Sequence, residues 1–119
     1  MREVLAPPAE RGHLEIRPRV VDRVGHRAAS DVDGVVRGSV GRIARHELPD
    51  VSSRVDGRHV RLDIDLAVRW GVPVDSVAAA VQRAVAERVQ ALTGLVVDAV
   101  DVTVESVVVP DVPTAGRVA

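Results

Sequence analysis

Between residues 59 and 85 the chain reads HVRLDIDLAVRWGVPVDSVAAAVQRAV, and its hydrophobic rhythm changes halfway along. Val60, Leu62, Ile64, Leu66 and Val68 alternate with Arg61, Asp63, Asp65 and Arg69. A strand turns each side chain about 180° from the last, so the spacing predicts a strand over 59–69 with its even-numbered residues in the core. Beyond it Val77, Val81, Val85, Val89 and Leu92 recur at helical spacing. Gly71 breaks the strand, Pro73 opens the helix, and Asp75 falls in the first turn, where an acid suits the macrodipole. Valine is a mediocre helix former, so this helix depends on docking; each buried valine contributes roughly 1.5–3 kcal/mol. Thr93-Gly94 supplies the stop, and residues 96–109 return as a long strand with Val100, Val102 and Val104 inward and Asp101, Thr103 and Glu105 outward.

Upstream the pattern is shorter-ranged. Residues 1–11, with Pro7 and Pro8, show no periodicity and are expected to form a flexible arm. Residues 13–16 can make a short strand. Pro18 suits the first turn of a helix whose stripe is Val20, Val21, Val24 and Ala28, ended by Asp33-Gly34. Val35, Val36 and Val40 suggest a strand that Gly38 and Gly41 bend, and residues 42–50 a loop or single turn stopped by Pro49. Asp56-Gly57 marks a tight turn joining residues 51–55 to the strand over 59–69. Strand, helix and strand thus follow one another twice, the order of a crossover unit. The expectation is an α+β two-layer sandwich, a small mixed sheet with two main helices on one face, over residues 12–109. Pro110 and Pro113 close it and leave a tail over 110–119.

Composition narrows the function classes. A chain of 119 residues forms one domain. With no cysteine, disulfides, thiolate catalysis and cysteine-ligated metal centres are excluded. Sixteen basic against 17 acidic side chains leave a formal charge of −1, so no broad field draws nucleic acid or an anionic membrane. Every basic residue other than histidine is arginine, a bias of GC-rich bacterial genomes. No apolar run approaches the ~20 residues of a membrane span, and the N-terminal residues do not read as a signal sequence, so a soluble, cytoplasmic protein is expected.

Candidate chemistry is sparse. Asp63 and Asp65 share a strand face with Cβ atoms roughly 7 Å apart, but Arg61 and Arg69 share it too, and a solvated face with cross-strand charge pairing is the expected reading. His13, His26, His46 and His59 stand too far apart for a helical metal motif, and no metal or cofactor is expected. Ser39 lies in Gly38-Ser39-Val40-Gly41, which lacks the spacing of a nucleophile elbow. The same tetrapeptide matches the bare GxxG loop with which KH domains clamp a nucleic-acid backbone. A KH-like module using Arg37, Gly38, Gly41, Arg42 and Arg45 is therefore the alternative function. Trp70, the one aromatic residue, removes the stacking platforms of single-strand binders and is expected to cover the core's edge.

The order of signals resembles the alkaline shock protein, or envelope stress response, family of Gram-positive bacteria. The residues that carry the likeness are 12–16, Asp33-Gly34-Val35, and above all VRLDIDLAVRWGVPVDSVAAAVQRAV followed by LTGLVVDAVDVTVESV. Trp70 stands where the family more often has tyrosine, and Arg17-Pro18 replaces a commoner serine-containing helix start. The resemblance implies a cytoplasmic, non-enzymatic protein of envelope homeostasis, from an actinobacterial source given the arginine bias. It also implies self-association and a small membrane anchor protein as partner, with no insertion of this chain into the membrane. No catalytic residues carry over. The candidate association surface is Val104, Val107, Val108 and Val109, where alternation lapses and the strand is expected to run past its neighbours as a template for another; the alternative is that these valines close the domain's own core.

Overall fold

Eleven residues, His59–Arg69, form the strand around which the molecule is built, and every other strand pairs with it. The computed structural model describes residues 14–38 and 47–109. In chain order the elements are α1 (Pro18–Ser30), β1 (Val35–Val36), β2 (Asp50–Asp56), β3 (His59–Arg69), α2 (Val74–Thr93) and β4 (Val96–Val108). β2 and β1 run antiparallel to β3, β2 along residues 59–65 and β1 opposite Ala67 and Val68. β4 runs parallel to β3 along its whole length, so the sheet is mixed. The β2–β3 hairpin closes through Gly57, whose φ of 63° a side chain would resist, with Asp56 facing His59 across the turn.

Alternation in β3 works as its sequence implies. Val60, Leu62, Ile64, Leu66 and Val68 are buried, and they meet Val21, Ala28 and Ala29 of α1 and Val77, Val81, Val85 and Val89 of α2 in one core. Both helices therefore cover the same face, and the fold is an α+β two-layer sandwich. α1 begins with Pro18, and Gly25 is its point of closest approach: a Cβ there would lie 3.2 Å from both Leu62 and Val51. α2 ends on Gly94 in the left-handed conformation, its N–H donated to the Gln90 carbonyl.

Several expectations change. Residues 14–17 take no strand conformation, so among the described residues the strand–helix–strand unit occurs once, as β3–α2–β4. Residue 13 lies outside the described residues. In α1 the stripe is shifted: Val20 is exposed, whereas Gly25, Ala29 and Ser30 are buried with Val21 and Ala28. Leu92 is 66% exposed although 100° per residue keeps it within the stripe: it stands in the last turn of the helix and lines an open cleft with residues 14–20. Trp70 is 65% exposed and so does not cover the core. β4 does not outrun its neighbour, since β3 accompanies it to Arg69 opposite Val108.

Candidate association surface

The sheet face turned away from the helices is open and charged. Its side chains come from β2 (Ser52, Arg54), β3 (Arg61, Asp63, Asp65) and β4 (Asp101, Thr103, Glu105). The expected cross-strand pairing of opposite charges is not what the register brings about. Arg54 stands opposite Arg61, Asp50 opposite Asp65, and Asp63 opposite Asp101. Like charges directly opposite are destabilising. Among the described residues Arg54, Arg61, Asp63, Asp65 and Asp101 make no ion pair, while Arg69 reaches Asp33 at 3.8 Å. Asp63 is exposed and Asp65 partly so, and neither lines the clefts formed by described residues alone.

One side of β4 is the second feature. It pairs with β3 along one edge, and two side chains of α2 partly occupy the other. Gln90 Oε1 accepts the Val97 N–H at 3.2 Å, and Gln82 Nε2 donates to the Val100 carbonyl at 3.1 Å. Register shifts at Asp98 and Glu105 mark two irregularities in the ladder. Between them the pairing is unbroken, so Val100, Val102 and Val104 direct their backbone groups to the same outer edge. Past the Gln82 contact no described residue caps that edge at Val102 or Val104. The result is a short window of free strand edge, bounded by two glutamines on one side and a bulge on the other.

The four foreseen valines divide. Val104 lies in the window. Val108 has its carbonyl occupied by the Trp70 N–H at 2.8 Å. Val107 and Val109 are exposed, and so is Trp70, whose backbone N–H bond to Val108 places all three at the same end of β3 and β4. Val102 was not foreseen, and no sequence signal could have marked it, because the window depends on where the two glutamines land.

The remaining candidates are scattered. Of the KH-like set, Arg37 is exposed and Gly38, with φ 101°, forms a bridge to Leu48, whereas Gly41, Arg42 and Arg45 lie outside the described residues. His26 Nδ1 is 2.8 Å from the Pro49 carbonyl and His59 Nδ1 is 2.9 Å from Asp98. His13, Ser39 and His46 lie outside the described residues. Among the described residues no three His, Asp or Glu side chains gather as a metal would require. A shallow cleft of about 370 Å³ between α1 and β2 holds Arg19, Asp22, Arg23 and His26. Partial burial pushes the Asp22 carboxyl up; the 2.6 Å bond from the Ser53 hydroxyl opposes this and Asp50 reinforces it. No described helix is long and apolar enough to cross a membrane.

Comparison with known proteins bears on the whole domain. A solved structure shares its fold. A MamM CTD variant in a zinc form superposes with a TM-score of 0.51 at 18% identity, covering 80% of this chain and 91% of that one. Another variant, in a manganese form, gives 0.48 at 19% identity over 76% and 99%. At such identity the likeness is one of fold alone, and the metals belong to those proteins. No curated protein matches the chain. The family model for alkaline shock protein 23, described as having a cell envelope-related function, matches residues 6–109. With nearly all of the folded unit inside that match, the chain belongs to the alkaline shock protein 23 family.

Proposed function

We propose that this protein is a non-catalytic structural and interaction protein of the cell-envelope stress response, working at the cytoplasmic face of the membrane through a partner. Its family supports the envelope-related part. The observation that carries the rest is β4, where among the described residues none caps the outer backbone groups of Val102 and Val104, and where Trp70, Val107 and Val109 are exposed at the strand's end. An open strand edge is a template for another strand, and exposed apolar surface favours contact between copies. The partner strand adds at the window; copies of the chain meet at the exposed end.

Sedimentation velocity on the full chain tests self-association. Val107→Lys combined with Val109→Lys is expected to reduce particle size while the circular dichroism melt stays at the wild-type temperature. A wild-type protein that remains monomeric at every concentration would overturn self-association. Native cell fractionation tests recruitment: the chain is expected with the membrane fraction and to leave it when Val104 is replaced by proline.

A further inference from the structure

Resting on the reading of β4 as a strand-accepting edge, we infer that the strand it accepts is a basic, extended segment whose arginine or lysine side chains alternate along one face. The charges around the window carry this. On the open face β4 presents Asp101, Thr103 and Glu105 and no base, and β3 behind it presents Asp63 and Asp65. Asp63 and Asp101 face each other, and among the described residues no cation pairs with either. The nearest base on that face, Arg61, is in register with Ala99 and lies opposite Arg54, at the end of the window held by Gln82. A strand added along Val102 and Val104 would set its own open-face residues about 5 Å from Asp101 and Thr103. Cations there would neutralise an acidic row that the isolated domain leaves unpaired.

The same charges disfavour a second copy of β4 as the occupant. Antiparallel pairing about Thr103 would set Asp101 of each copy opposite Glu105 of the other, adding two acid–acid contacts to a face already dense in carboxylates. The window is also short. Gln82 and Gln90 block the approach at one end, and the irregularity at Glu105 bends the strand at the other, so about five residues of a partner fit. Opposite-sign complementarity over so short a ladder supplies the choice of partner that backbone bonds alone do not.

The test uses the full chain and three synthetic hexapeptides: alternating Arg-Val, alternating Glu-Val, and the Arg-Val sequence with N-methyl groups on alternate amides. Trp70 fluorescence and isothermal calorimetry read binding. The wild type is expected to bind the Arg-Val peptide and neither of the others. Asp101→Lys combined with Glu105→Lys should weaken Arg-Val binding by about tenfold and confer binding of Glu-Val, since two charge contacts change sign. Equal binding of the N-methylated peptide would overturn the inference, because mere charge attraction needs no strand edge. Equal binding of both unmethylated peptides would overturn the basic partner while leaving the edge intact. If no peptide binds but the double variant alters particle size in sedimentation, the occupant is a second copy, and the basic partner is wrong. If no peptide binds and nothing else changes, both the inference and the edge reading fall.

Discussion

Asp22 shows how a single side chain on the surface of α1 senses its packing. Burial raises its pKa above the ordinary aspartate range, with Asp50 adding to the effect and the Ser53 hydroxyl working against it. A carboxyl whose folded pKa exceeds its unfolded one holds its proton more tightly in the native state. Its ionisation therefore costs stability, which is intact below the unfolded pKa and declines as pH rises through that value to the folded pKa. Asp22→Asn keeps an acceptor for Ser53 and removes the charge, so its unfolding free energy should vary less across that window and match or exceed the wild type at pH 7. Urea titrations at several pH values would check this. Gly25 makes a different point, since Leu62 and Val51 already stand 3.2 Å from where its Cβ would be. Gly25→Val pushes two methyls into that gap and should cost about 1–3 kcal/mol in the same titration.

At the scale of elements, the period of each segment decided what could be foreseen. The five alternating residues of β3 and the four valines of α2 identify their own buried faces, because one register of a strand or helix fits them and no other does. Val81 is fully buried and Arg83 exposed, so Val81→Asp should unfold the domain, a buried carboxylate costing several kcal/mol, while Arg83→Asp melts within a few degrees of the wild type. Leu92 shares that angle and is exposed all the same, because burial also depends on position along the axis, and the last turn of α2 lines an open cleft with residues 14–20. The charge pairing on the open face was not legible at all. Whether Asp63 meets Arg or Asp depends on how β2 and β4 slide along β3, and two register shifts in β4 separate that answer from any count along the chain. Proline substitution reads the direction of β4's backbone. Thr103 points its N–H at β3 and Val104 points its own away, so Thr103→Pro should cost about 3 kcal/mol or more and Val104→Pro about 1 kcal/mol in thermal melts.

The whole molecule has one covered face, one open face and one edge that is only half guarded. Family membership accounts for an envelope-related role. The fold adds an edge: Gln82 and Gln90 shield the start of β4, and beyond them no described residue caps the strand before the irregularity at Glu105. Sequence alone points to β4 through the lapse of alternation at Val107-Val108-Val109. It cannot locate the window, which is created by side chains of a helix some 18 residues away along the chain. Residue-resolved amide hydrogen exchange on the full chain, followed by NMR, tests that window most directly. Val102 and Val104 are expected to exchange orders of magnitude faster than Asp101 and Thr103, whose amides are held by β3. Equally slow exchange at all four positions would mean that the edge of β4 is already covered, and would contradict an open window.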